Sequence, residues 1–151
     1  MKLTISTLLS IFLFGNINLS ARNLEISDEI ASYENAWKAK DVAALKAVLN
    51  KWEQEDNLDP ALWYLKIDFY MSLEINKTAA INACAKLKNL GVQFGSPELV
   101  EAGDEKLNAI AKFGNADFVQ PTTLAIQKYL DSFPEGNPII PIVVRLQRFR
   151  K

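Results

Sequence analysis

The sequence contains no histidine and no cluster of glycines. Histidine is the commonest general base near neutral pH and the commonest zinc ligand, so its absence excludes Ser-His-Asp, Cys-His and HExxH-type sites. The six glycines are scattered singly, which rules out a glycine-rich phosphate-binding loop. The sequence therefore favours a protein that is not an enzyme, and it predicts no bound cofactor.

Cysteine is nearly absent as well, because Cys84 is the only one in the chain. No disulfide can form within the chain, so its stability must come from packing. Cys84 stands three residues from Ile81 and three from Leu87, on the apolar face of a predicted helix. We therefore expect a small buried hydrophobic side chain rather than an intermolecular disulfide or a nucleophile.

Net charge is also small, at −1 from 17 basic and 18 acidic residues. Proteins that bind nucleic acids usually carry an excess of basic residues, so nucleic acid is not a predicted partner. The charges are unevenly spread. Residues 22–59 hold nine acidic and five basic side chains, whereas residues 134–151 hold one acidic and four basic ones. The two ends of the chain therefore differ in sign.

A predominantly apolar run lies at the very beginning of the chain. Lys2 precedes this run, which covers residues 3–14, and small and polar residues follow up to Ala21. This order is typical of a secretory signal peptide, and the run is too short to span a bilayer. We predict a signal peptide over residues 1–21 and a periplasmic or secreted mature chain over residues 22–151 that does not span a membrane. The alternatives are an uncleaved anchor and a buried helix.

The remaining sequence has the composition of one globular domain, with 49% hydrophobic and 23% charged residues overall. Apolar residues recur at the three- and four-residue spacings of helices, and sustained alternation is missing before residue 130. Helices are predicted over residues 24–39, 42–53, 60–73, 78–90, 97–113 and 122–133. Residues 139–151 could form a strand or a short helix, and Pro141 with the arginines that follow favours a helix. We therefore predict an all-α fold of about six to seven helices.

Residues 60–73 form the most apolar of these helices, interrupted only by Lys66, Asp68 and Ser72. A helix that is apolar nearly all round is buried on more than one side. Asp59 is its predicted N-cap, and Thr78 is the predicted N-cap of the next helix, so the two helices form an antiparallel hairpin. The predicted central core consists of Leu62, Trp63, Leu65, Ile67, Phe69, Tyr70 and Leu73.

Three prolines recur at a spacing of 37 residues: Pro60, Pro97 and Pro134. A period of this length indicates stacked antiparallel helical hairpins. In the central hairpin, Trp63, Tyr70 and Ala79 stand where tetratricopeptide repeats have an aromatic residue, a tyrosine and a small alanine. This part of the chain resembles that family. The resemblance implies an α-solenoid over residues 22–151 whose concave surface binds a protein or peptide partner.

The same resemblance implies a binding face on the first helix of each hairpin. The nine positions are Ser27, Ala31, Glu34, Tyr64, Asp68, Met71, Glu101, Glu105 and Asn108. No lysine or arginine occurs among them. We therefore expect a groove that prefers a basic or amine-bearing segment, with Tyr64 as an aromatic anchor.

Two other functions stay open at this point. A secreted inhibitor or immunity-type protein that blocks an exported toxin needs only a small, charged helical surface. A carboxylate-based hydrolase could use Glu98, Glu101 and Glu105, which share a helical face with Asp104 beside them. Acidic residues in a first helical turn are ordinarily solvated and favoured by the helix dipole, so the hydrolase ranks last.

The predicted signal peptide leads to the first test. We expect the exported protein to begin close to residue 22, because the cleavage site follows the apolar run. Mass spectrometry of the mature protein checks this expectation, and an exported form that retains Met1 would contradict it.

Overall fold

A computed structural model of the chain describes residues 26–114 and 117–149. The predicted signal peptide lies outside these residues. Within them the chain forms seven α-helices, and no strand occurs, which confirms the predicted all-α fold. The helices are α1 (Asp28–Lys38), α2 (Val42–Glu55), α3 (Pro60–Ser72), α4 (Lys77–Phe94), α5 (Pro97–Ala111), α6 (Thr123–Asp131) and α7 (Ile140–Leu146), and a 3₁₀ turn (Gln147–Phe149) follows α7.

The first six helices each begin after a polar side chain that accepts a hydrogen bond from a backbone N–H of the first turn. These N-caps are Ser27, Asp41, Asp59, Asn76, Ser96 and Thr122. The prediction that Thr78 caps α4 was wrong. The side-chain oxygen of Asn76 accepts from Ala79 N at 3.0 Å, so the helix starts earlier, since asparagine caps as well as threonine does.

Helix α3 lies at the centre of the fold, in contact with α2, α4 and α7. All of its residues are buried except Tyr70, which is partly exposed. The predicted core is therefore confirmed for its other six members. The polar residues Lys66 and Asp68 are buried together with their apolar neighbours. A helix enclosed on several sides has no polar face on which to place them.

Helices α4 and α5 approach each other closely at two glycines. A Cβ atom on Gly91 would lie 2.7 Å from Val100 N, and one on Gly103 would lie 3.0 Å from Cys84 O. Helix α4 continues through Gly91, where the sequence predicted a loop, and the close approach of α5 leaves no room there for a larger residue. The helix ends instead at Gly95, whose φ of 63° is in the left-handed region that suits glycine.

The last two described helices fold back onto α1 and α3. Helix α6 packs on α1, where the rings of Trp37 and Tyr129 meet edge to face at 5.9 Å. Helix α7 runs antiparallel to α3, because Asn137 bonds to Asp68 near the end of α3 and Gln147 bonds to Asp59 at its start. The prediction of a terminal helix rather than a strand is confirmed.

None of the helices within residues 26–114 and 117–149 combines the length and the apolar character needed to cross a membrane.

The close approach of α4 and α5 predicts the effect of a small substitution. Gly91→Ala should lower the free energy of unfolding by about 1–3 kcal/mol, because the added methyl group meets the backbone of α5. Urea denaturation measures this loss. The matched control is Gly114→Ala, whose methyl group would find its nearest neighbour at an ordinary 3.7 Å. Equal stability of the two variants would contradict the proposed packing.

Candidate functional site

The structure divides the predicted binding face into a closed part and an open part. On α3, the side chains of Tyr64, Asp68 and Met71 are buried, with exposed fractions of 6%, 1% and 0%. They do not offer a surface to a partner in this structure. The prediction of a groove across these positions therefore needs correction. Helix α3 is enclosed by other helices, and Asn137 forms hydrogen bonds to both α1 and α3.

The chain's own C-terminal segment, defined here as residues 133–149, contacts three of the nine predicted positions. Asn137 donates from its backbone N to Glu34 Oε1 at 2.9 Å and from its side-chain Nδ2 to Asp68 Oδ2 at 3.0 Å. Gln147 Nε2 lies 3.0 Å from Ser27 Oγ. The acceptors predicted for a partner on α1 and α3 are thus occupied within the same molecule.

A tight turn positions Asn137 for this contact. Gly136 N donates to Phe133 O at 3.1 Å, and the carbonyl of Phe133 also accepts from Trp37 Nε1 at 3.2 Å. Gly136 has a φ of 120°, and a Cβ atom there would collide with the carboxylate of Glu34. The backbone angle therefore favours glycine at this position, and a larger residue would also displace the Glu34 carboxylate.

The open part of the predicted face lies on α5. Glu101, Glu105 and Asn108 are exposed and line a groove of about 760 Å³ between α5 and the end of α4. Val92, which is 74% exposed, and Gly95 line the groove on the α4 side. The structure thus brings three of the predicted binding residues together beside an exposed apolar side chain.

Three acidic side chains line this groove, and one of them, Glu105, attracts the ammonium group of the buried Lys106. Asp104 forms a salt bridge with Lys88 across the two helices, with 2.6 Å between Oδ1 and Nζ. Neither Glu101 nor Glu105 forms a salt bridge with a residue that the structure describes. Two exposed carboxylates on successive helical turns give the groove a negative potential that would attract a basic ligand.

The three carboxylates proposed for a hydrolase do not share one environment. Glu98 forms a salt bridge with Arg145 of α7, at 2.6 Å, while Glu101 and Glu105 face the open groove. Among the described residues, no group of three or more acidic or cysteine side chains is arranged to hold a metal ion. Cys84 is fully buried, as predicted, and burial raises the pKa of its thiol to about 12.

A second polar feature, not predicted from the sequence, consists of two buried side chains of opposite charge, Asp68 of α3 and Lys106 of α5, which attract each other. Burial lowers the pKa of Lys106 to about 8, against the attraction of Asp68, and burial raises the pKa of Asp68. The Nζ atom of Lys106 lies 4.9 Å from the ring centroid of Tyr64. Lys106 shares a helical face with Leu99 and Ile110, so its spacing was the signal that could have revealed its burial.

Comparison with protein-family models, with curated proteins and with solved structures finds no match for this chain. The resemblance to tetratricopeptide repeats therefore stays a prediction, and the function must be argued from the geometry of the chain itself.

The burial of Asp68 predicts how stability depends on pH. Because its pKa is raised in the folded chain above the usual 3.8, folding favours proton uptake. The free energy of unfolding should therefore gain a contribution as the pH falls from neutrality through the raised pKa. Asp68→Asn should reduce this gain, because it removes the titrating group and retains a side-chain oxygen that can accept from Asn137.

Urea denaturation of both proteins at pH 7 and pH 5 measures the effect. The loss of the Asp68 charge also lowers the pKa of Lys106 further, and this second change reduces the gain in the same direction. The charged and titratable groups that interact with Asp68 from neighbouring positions are Tyr33, Tyr64, Lys106 and Tyr129. An identical change of stability between the two pH values in both proteins would contradict a raised pKa at Asp68.

Proposed function

We propose that this protein is a non-enzymatic helical module that acts outside the cytoplasm and binds a protein or peptide partner in the groove between α4 and α5. The observation that carries the proposal is the exposed row of Glu101, Glu105 and Asn108 beside the apolar side chain of Val92. An apolar contact surrounded by charge is the usual composition of a recognition surface.

The chemistry of the groove selects the class of partner. Two carboxylates without salt-bridge partners among the described residues favour a segment that carries lysine or arginine. Gly95, which has no atom within 4 Å of where a Cβ would lie, leaves room for a small apolar group beside the exposed side chain of Val92 and next to those charges. We therefore expect an extended or helical segment with basic side chains flanking a small apolar one.

The chain itself contains an example of the proposed contact. Arg145 reaches from α7 to Glu98, which precedes Glu101 by one turn of α5. The side chains of Arg145 and Glu98 are 31% and 41% exposed, respectively. A partner's arginine on Glu101 or Glu105 would extend this row of acidic and basic pairs along α5.

An inhibitor of an exported toxin would use the same kind of surface, so it remains the alternative function. The identity of the captured partner distinguishes the two, because an inhibitor must capture an enzyme and abolish its activity. A carboxylate-based hydrolase would instead require a reaction that depends on Glu101 or Glu105 and proceeds without a partner.

Charge reversal in the groove tests the proposal. The double variant Glu101→Lys with Glu105→Lys should lose a partner that the unmodified protein captures from its native extracytoplasmic fraction, because the groove becomes positive. For a synthetic peptide of the captured segment, we expect at least a tenfold weaker affinity, about 1.4 kcal/mol, and a weaker dependence of binding on salt.

The matched control is Glu55→Lys with Glu135→Lys, which changes the net charge equally at exposed positions outside the groove. This control should bind as the unmodified protein does. Capture that is equally strong for both double variants would exclude the groove as the binding site. The reversal of Asp68, in contrast, would test folding rather than binding, because its carboxylate is buried.

A further inference from the structure

The groove between α4 and α5 is formed by helices whose backbone groups are largely paired. An α-helix bonds its N–H and C=O groups internally except at its ends. The end of α4 is closed as well, because Gly95 N donates to Val92 O at 3.2 Å and Ser96 N donates to Gly91 O at 2.8 Å. In the part of the chain that the structure describes, no strand occurs. The groove therefore offers no sheet edge with which an extended segment could pair its backbone.

The side chains of the groove do not suit a polyproline segment either. Such segments bind grooves that are lined by aromatic rings. Among the described residues that line this groove, none is aromatic, and the apolar surface comes from Val92, Pro97 and Val100. The remaining common mode of peptide recognition is an amphipathic helix, which pairs its own backbone groups and presents side chains on one face.

The acidic residues of α5 are spaced to meet side chains of a second helix. Glu101 and Glu105 are four residues apart, which is about 6 Å along the axis of α5. Side chains at positions i and i+4 of a partner helix share one face at the same separation. In an extended segment, the positions on one face are i and i+2, about 6.6–6.8 Å apart. The sequence spacing of the partner's basic residues therefore distinguishes the two conformations.

Helix α7 provides an example of such a contact within the chain. Its Arg145 reaches α5 at Glu98, with 2.6 Å between Nη2 and Oε1. Glu98 stands one turn before Glu101 on α5. The first acidic residue of this row is thus already paired with an arginine that another helix carries.

We propose that the partner binds as an α-helix beside α5 and carries two basic residues, at positions i and i+4, that pair with Glu101 and Glu105. This inference rests on the proposed function, because it concerns the same groove, and it selects a helical partner over an extended one. A small apolar residue lies beyond the basic residue that pairs with Glu101. There it contacts the exposed side chain of Val92 beside Gly95, where a Cβ atom would find nothing within 4 Å.

Three synthetic peptides test the proposal with the unmodified protein. Each is about 20 residues long and rich in alanine and glutamine, so that it is partly helical in water, and each carries two arginines. The first peptide has the arginines at positions i and i+4, and the second has them at i and i+2. The third keeps the i and i+4 spacing but has a proline between the arginines, which breaks the helix.

Fluorescence anisotropy of the labelled peptides at low salt measures their affinities. The first peptide should bind about tenfold or more tightly than the second and the third, because it alone presents both arginines on one face of a helix. Its binding should weaken as salt is added. Binding of the second or third peptide that equals or exceeds that of the first would overturn the proposal, and so would a failure of all three to bind.

Variants of the protein assign the preference to the groove. Glu101→Lys with Glu105→Lys should abolish the preference for the first peptide, whereas Glu55→Lys with Glu135→Lys should retain it, since both control positions are exposed outside the groove. Circular dichroism checks that the variants are folded, and the comparison of peptides on the unmodified protein does not depend on them.

The proposed function can fail separately from this inference. If the peptides show no helical preference while capture of a native partner still requires Glu101 and Glu105, the groove remains the binding site and its partner is not a helix of this kind. If capture does not depend on these two carboxylates, the proposed function itself is refuted.

Discussion

A carboxylate inside a protein needs hydrogen-bond donors, and Asp68 obtains its shortest one from Asn137, which lies 69 residues further along the chain. The same asparagine donates from its backbone to Glu34 of α1. This one residue therefore connects the first helix, the central helix and the C-terminal segment. Three other features of the fold occur together with this contact. Helix α7 lies along α3, α6 is buried against α1, and the predicted binding face is covered on α1 and α3.

Acidic residues that look alike in the sequence have different environments in the fold. Asp68 is enclosed, Glu34 is partly buried beneath Gly136, and Glu101 and Glu105 remain exposed. Burial raises the pKa of Asp68 and of Glu34, so these two carboxylates serve internal contacts. Of these four acidic residues, only Glu101 and Glu105 combine charge with access to solvent, and for this reason we propose binding at α5 rather than along all three hairpins.

Most of the helices could be predicted because their signals are local. Apolar residues at helical spacing marked α1, α2, α3, α5 and α6, and the predicted N-cap Asp59 also marked the start of α3. The rotation of α3 about its own axis could not be predicted, because a helix that is apolar nearly all round has no polar side to indicate which face meets solvent. Tyr64, Asp68 and Met71 were therefore assigned to a face that neighbouring helices cover. The return of the C-terminal segment had no local signal either, since Asn137 and Glu34 are 103 residues apart.

The contact between the two ends of the chain also determines the order in which the protein can complete its core. Tyr129 and Asn137, which cover helix α1, are synthesised much later than α1 itself, since Asn137 follows Glu34 by 103 positions. At about 5–20 residues per second, roughly 5–20 s separate the emergence of Glu34 from that of its partner. During this interval the apolar face that includes Tyr33 and Trp37 lacks its final cover. Helix α1 therefore cannot complete its core before residues 129–137 are available.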